Sequence, residues 1–218
     1  MRRLVPIYAI ACLLALLSAC GGLSPTPELT PSPEGETTAL LEVANGHLER
    51  GIAYIQVAMQ AREAGADAKV KEQTVLAQGE FEQAITAFSE VLVAQPDNLA
   101  ALSNLGIVYY NLGQFDQAIA QYQRALELAP GDAGILSNMA AAYVQTGQTD
   151  KALEQYQRAV ELESDLAEAH FGLGVLYLQL GQKEQSIASF ERFLELDMGE
   201  DATARSEAAR YLKQLKGQ

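Results

Sequence analysis

The chain has 218 residues, 49% of them hydrophobic and 20% charged, with 28 acidic against 15 basic side chains and a net charge of −13. A surplus of that sign repels phosphate backbones and anionic headgroups, which argues against a nucleic-acid partner and against electrostatic adhesion to lipid. Both cysteines, Cys12 and Cys20, fall near the amino terminus, so the rest of the chain has no thiol for a disulfide or a metal.

Met1, Arg2 and Arg3 form a cationic start, and Leu4 to Ala19 is an almost wholly apolar run of sixteen residues. A membrane-spanning helix needs roughly 20 residues. The arrangement reads instead as a secretory signal peptide over 1–19, with small residues before the cleavage point. Leu17-Ser18-Ala19-Cys20 resembles the bacterial lipobox. That resemblance implies that the Cys20 thiol is diacylated and that Cys20 becomes the first mature residue. Two or three acyl chains suffice for stable membrane attachment. Gly21 and Gly22 follow the cysteine where an Asp would signal retention. By the same resemblance the destination is the outer membrane of a cell with two membranes, otherwise the outer face of the cell membrane. Residues 20–38 then contain four of the seven prolines and no apolar periodicity. Such a segment cannot bury a core and is expected to be a disordered tether.

Over residues 39–98, Leu40, Leu41, Val43, Leu48, Ile52, Ile55 and Met59 recur at helical spacing. Gly79, Ala84, Phe88 and Pro96 mark out a second helix. Tyr54 and Gly79 are 25 positions apart, where Tyr109 and Gly113 further on are four apart. Either the first helix runs on, or Gly65-Ala66 breaks it and an extra helix over about 66–78 is inserted. The break is favoured, because glycine costs a helix interior about 1 kcal/mol.

Residues 99–132 are the unit around which the chain is organised. Shifted by 34 positions they match 133–166 at fifteen places, among them Leu102/Leu136, Ser103/Ser137, Asn104/Asn138, Tyr109/Tyr143, Gly113/Gly147 and Ala118/Ala152. A fixed internal period of that length predicts a solenoid. Within the unit, Leu102, Leu105, Tyr109 and Leu112 share one helical face, and Gly113 ends that helix. Ala118, Tyr122, Ala125 and Leu128 mark a second helix that stops before Pro130. Gly106 and Ala118 are small where the two helices cross. Helices this short cannot bury their apolar faces as a lone pair, so stacked neighbours must complete the core.

Leu102, Leu105, Gly106, Tyr109, Ala118, Tyr122 and Pro130 resemble the tetratricopeptide repeat pattern, W-x2-L-G-x2-Y then A-x3-F then P. The next copy carries Leu136, Met139, Ala140, Tyr143, Ala152 and Tyr156, with Ser164 in place of the proline. A third carries His170, Leu173, Gly174, Tyr177, Ser186 and Phe190. The resemblance implies an all-α, right-handed α-solenoid of about four helix pairs over 39–98, 99–132, 133–166 and 167–200. Residues 201–218 form an amphipathic capping helix, with Asp201 suited to its N-cap and Ala204, Ala208, Tyr211, Leu212 and Leu215 turned inward.

No Ser/His/Asp set, phosphate loop or metal-ligand spacing appears, so no enzyme, cofactor or metal is expected. His170 occupies the core-edge position of Leu102 and Leu136. Glu161, Glu163 and Asp165 lack the alternation and central glycine of a calcium loop and read as a solvated face. Function is then expected from a surface. By the resemblance, the first helices line a concave groove for an extended peptide or partner helix. Its expected residues are Ser103, Asn104, Ile107, Tyr110 and Asn111, then Ser137, Asn138, Ala141, Val144 and Gln145, then Phe171, Val175, Leu178 and Gln179. Asn104 and Asn138 resemble the asparagine ladder of repeat domains that hold extended chains, since an amide both donates to and accepts from a peptide bond. The absence of Lys and Arg there predicts a neutral, partly apolar ligand. The chain resembles the bacterial tetratricopeptide-repeat lipoproteins, and that resemblance implies a membrane-anchored scaffold in the cell envelope that assists assembly of a complex such as a pilus or secretion machine. Alternatives are an envelope protein that self-associates through 60–78 or the terminal helix and, more remotely, an envelope hydrolase.

Overall fold

A computed structural model describes residues 33–197 and 202–217. The signal peptide over 1–19, Cys20, the tether as far as residue 32 and the Asp201 cap lie outside the described residues. The helices are α1 (Pro33–Glu63), α2 (Asp67–Ala94), α3 (Leu99–Asn111), α4 (Phe115–Leu128), α5 (Ala133–Gln145), α6 (Thr149–Leu162), α7 (Ala167–Gln179), α8 (Lys183–Leu196) and α9 (Ala202–Lys216), with no strand among the described residues. Each packs on the next. The odd-numbered helices also touch one another along the row, whereas the even-numbered ones touch only odd-numbered partners. An array that is closer-spaced on one side curves toward it, so the odd-numbered row lines the inside of an all-α solenoid.

One turn chemistry closes every hairpin. Gly65, Gly113, Gly147 and Gly181 all have φ between 68° and 73°, where a side chain would be strained. After the last three, the N–H groups of Gln114, Gln148 and Gln182 donate to the carbonyls of Tyr109, Tyr143 and Tyr177, each at 2.9 Å, which satisfies carbonyls left over at the helix end. Asn98 and Asp132 cap the starts of α3 and α5 by accepting from the N–H groups of Ala101 and Ile135 at 2.9 Å. The period shows in the side chains as well. Arg124 donates to the Pro96 carbonyl and, 34 residues on, Arg158 to that of Pro130.

Helices cross where a small residue meets an aromatic ring. A Cβ added to Gly106 would lie 2.4 Å from the Tyr122 ring, and one added to Gly174 would lie 2.7 Å from Phe190. Tyr122, Ala118, Ala125, Leu136, Ala140 and Leu176 are buried in one cluster that runs from α3 to α7. At the far end α9 buries Ala208 and Leu212 and stacks Tyr211 on Phe190 at 5.3 Å, which caps the core.

The first hairpin corrects two expectations. The stretch 66–78 is not an inserted helix. The chain does break at Gly65, but α2 then continues unbroken through Gly79, which is exposed and has nothing near its missing Cβ. The turn equivalent to Gly113 is therefore Gly65, and both helices of the pair are long, with 31 residues in α1 and 28 in α2 against 13 and 14 in the next pair. Gly51 meets Phe81 at 2.4 Å, as Gly106 meets Tyr122. Seven residues back from Gly51 and seven on from Phe81, Ala44 and Phe88 are both wholly buried in the same cluster. The seam simply repeats. The second correction concerns the tether: residues 33–38 are helical, opened by Pro33 at the first helical position, where its missing N–H costs nothing, and by Glu34 and Glu36 at the positive end of the helix dipole.

Candidate functional site

Short first helices stacked side by side leave their inner-facing side chains only partly covered. A cavity of about 300 Å³ opens there between α3, α5 and α7. It gathers Tyr110, Ser137, Asn138, Ala141, Val144, Gln145, Phe171 and Val175 from the expected groove set, together with Tyr156, Glu168 and Gly172. Ser103, Asn104, Ile107, Asn111 and Leu178 are half-buried and do not line it; Gln179 is exposed at the end of α7. Gly172 matters because a Cβ there would stand 2.3 Å from the Tyr156 ring, so any other residue would push α7 away from the cavity wall.

The two repeated asparagines are in different states. Asn104 donates from Nδ2 to Asn45 Oδ1 on α1 at 2.8 Å, so its amide is already engaged. Asn138 makes no side-chain hydrogen bond among the described residues, and neither does Ser137, although only 7% of Ser137 is exposed. Both line the cavity. No buried side-chain N or O atom among the described residues lacks a hydrogen-bond partner, so the unpartnered Ser137 hydroxyl is open to the cavity and keeps its bonding capacity for whatever enters. Burial pushes the Tyr156 phenol well above its usual range, helped by Tyr110, so it presents a neutral O–H to the same space.

Phe171 joins this cavity to two others. One, of about 590 Å³, lies between Gln56, Met59, Gln60 and Glu63 near the end of α1, Phe171, and Ala202, Thr203, Ala204 and Glu207 on α9. The other, of about 500 Å³, is lined by Leu166, Phe193, Leu196 and Ala204 and by Glu163, Asp165, Glu168 and Asp197, the last paired with Arg205 at 3.3 Å. The Phe171 ring is held edge-on against Phe190 at 5.8 Å and Phe193 at 5.1 Å, so it is a fixed floor. Reading each repeat by itself could not find Glu63 or Glu207, because α1 reaches this end of the array only through its doubled length. His170 is half-buried with Nε2 3.1 Å from the Ser164 carbonyl, a local contact far from any ionisable partner set. Among the described residues no group of three or more His, Cys, Asp and Glu is placed to hold a metal, and no helix is long and apolar enough to cross a membrane.

Models of the tetratricopeptide repeat match residues 73–133, 121–154, 140–181 and 167–199. Among solved structures, the chain is similar to the protein MamA, at 24% identity over 78% of this chain and 91% of that one, with a TM-score of 0.52. It is similar to the Sgt2 repeat domain of Aspergillus fumigatus, at 26% identity over 55% of this chain and 77% of that one, with a TM-score of 0.50. It is also similar to the first repeat domain of Spaghetti (RPAP3), solved bound to the HSP90 peptide SRMEEVD, at 24% identity over 54% of this chain and 95% of that one, with a TM-score of 0.50. No curated protein sequence matches the chain.

Proposed function

Since this chain carries tetratricopeptide repeats from residue 73 to 199, we propose that it is an envelope scaffold, lipid-anchored through Cys20, that holds an extended segment of a partner protein in its inner groove. The reading is carried by Ser137 and Asn138. Their hydroxyl and amide are unengaged, side by side, at a cavity floored by Val144, Phe171 and Val175. An extended backbone has one N–H and one C=O per residue to offer such groups, while its side chains cover the apolar floor. No lysine or arginine lines the cavity, so an acidic tail of the SRMEEVD kind finds no clamp. The anchor rests on the amino-terminal sequence pattern, the pilus or secretion partner on the resemblance to bacterial tetratricopeptide-repeat lipoproteins, and the scaffold role on the groove.

The test is site-specific photocrosslinking in intact cells, with the crosslinker at Val144 in the groove or at Val93, which is 85% exposed on α2. A discrete adduct from Val144 alone, lost in the Ser137→Ala/Asn138→Ala variant, is expected. Equal adducts from both positions, or adducts indifferent to the double substitution, overturn the groove. Cys20→Ser is expected to move the protein from the membrane to the soluble fraction, and continued membrane retention overturns the anchor.

A further inference from the structure

Asn104 and Asn138 stand 34 residues apart, and the next position in that register is Gly172. The side chain is missing there, but its place is taken. A Cβ on Gly172 would lie 2.3 Å from Cζ of Tyr156 and 2.6 Å from its hydroxyl oxygen. A phenol carried by α6 thus fills the point where the register would set an amide on α7. Two differences between repeats put it there. One repeat earlier, Tyr122 packs its ring on Gly106 of its own pair. Tyr156 meets Ala140 at that position, 34 residues on from Gly106, and the alanine methyl closes the opening. The ring leans over the following helix instead, where Gly172 leaves room.

The residue is 6% exposed, so the ring is held fast. Its oxygen is nonetheless open to the cavity that Asn138 lines: it has no hydrogen-bond partner among the described residues, where no buried side-chain oxygen lacks one. The Tyr143 and Tyr177 hydroxyls, by contrast, accept from Gln123 at 3.3 Å and Gln157 at 3.1 Å. Burial and then the nearby Tyr110 phenol keep Tyr156 protonated, so its oxygen always has a proton to donate. Water satisfies an open hydroxyl, and accessibility by itself assigns nothing. Position decides the matter. A segment held at Asn138 on α5 and running along the row of first helices meets the Gly172 point next, on α7, where this donor stands on a ring that cannot turn away. A group fixed in advance loses little freedom when it binds.

We infer that Tyr156 is a binding residue of the groove: its O–H donates to a main-chain carbonyl of the partner segment, one step along from the part held by Asn138. This rests on the groove reading and deepens it by fixing what is recognised. Two polar groups from different helices grip main-chain atoms, while Val144, Phe171 and Val175 cover apolar side chains. The partner is therefore a strand-like segment chosen for its extended backbone. A partner helix is disfavoured, because its carbonyls are already engaged with its own N–H groups.

The experiment titrates the purified full chain, by fluorescence anisotropy, with a short labelled peptide alternating threonine and valine and with analogues in which one backbone amide at a time is an ester. An ester carbonyl is a weaker acceptor than an amide carbonyl. Tyr156→Phe removes one oxygen that has no partner in the fold, so the melting temperature is expected to stay unchanged. Its affinity for the all-amide peptide is expected to fall about fivefold, the worth of one hydrogen bond. One ester position is expected to weaken the unsubstituted chain by a similar factor and to leave Tyr156→Phe indifferent. Tyr122→Phe, the same change one repeat earlier, is expected to alter nothing. Unchanged affinity in Tyr156→Phe, an ester penalty that survives the substitution, or an equal loss from Tyr122→Phe overturns the assignment. If Ser137→Ala/Asn138→Ala weakens the peptide where Tyr156→Phe does not, the groove stands and this inference alone has failed. If neither variant weakens it, or no peptide binds, the groove reading fails with it.

Discussion

A Cβ on Gly51 would stand 2.4 Å from the Phe81 ring, and a Cβ on Gly106 the same distance from Tyr122. Yet α2 has 28 residues where α4 has 14. The two regions share one packing rule and solve burial differently. In the short pairs the core is communal: the cluster around Tyr122 runs from Leu102 on α3 to Leu176 on α7, so each pair depends on its neighbours. In the long pair Ala77, Phe81, Ala84, Phe88 and Val91 form a seam down α2 that α1 covers along its length, and Ala101, Leu105 and Val108 on α3 complete the same cluster. Doubling the length adds 14 residues, about four turns, which returns nearly the same face to the partner helix. A hairpin can therefore grow outward without altering the array it is docked on, and here the growth carries Met59 and Glu63 to the far end of the inner face.

The largest expected effect tests whether the outer part of the long pair melts separately from the array. Tyr122→Ala, at 1% exposure, is expected to cost about 3–5 kcal/mol and to lower the melting of the three short pairs together. Phe81→Ala, also at 1%, should cost a similar amount but split the denaturation curve, with the outer part of the first hairpin lost before the array. Identical single transitions in both variants would erase the distinction. Next in size are the caps. Asn98→Ala and Asp132→Ala should each cost about 1 kcal/mol in urea denaturation, because each leaves a helix N–H without its acceptor. α2 has no such side-chain cap, and substituting Asp67 should cost less. The smallest is electrostatic and confined to the long hairpin. Glu80 Oε2 on α2 lies 2.7 Å from His47 Nδ1 and accepts from Arg50 Nε at 2.9 Å, both on α1. Desolvation pushes the Glu80 carboxyl up, but the bonds to His47 and Arg50 outweigh it and hold it below its usual range. A depressed carboxylate stabilises the fold above its unfolded pKa, and that contribution disappears as pH falls through the folded value. Thermal melts between neutral pH and about pH 3 should show a loss in the hairpin transition that Glu80→Gln flattens, while the array transition is indifferent to the substitution.

Gly79 shows why the first pair was misread from sequence. Its 34-residue offset from Gly113, with Ala84 and Phe88 correctly placed behind it, made it the natural turn. A glycine permits a left-handed turn but does not impose one, and Gly79 sits exposed on a continuous helix. The chain reverses at Gly65, where φ is 68°. The Asn104–Asn45 bond and the Glu63–Glu207 approach were out of reach for a related reason. Neither pair has a fixed spacing, because the first depends on α1 docking on α3 and the second on how far the long hairpin extends.

The order of letters alone determined the 34-residue period, the all-α solenoid of paired helices, the turn glycine at 113 with its repeat at 147, the small residue at the Gly106 crossing and most of the residues around the Ser137–Phe171 cavity. Each of these is a contact within one repeat or between adjacent ones, and the repeat restates it at constant spacing. Tertiary structure alone decided the length of the first hairpin, which asparagine stays open, and the carboxylates that meet beyond Phe171. The asparagine depends on α1 docking on α3, and the carboxylates on α1 arriving beside α7 and α9, more than a hundred residues further along the chain, and no local pattern records such distant meetings.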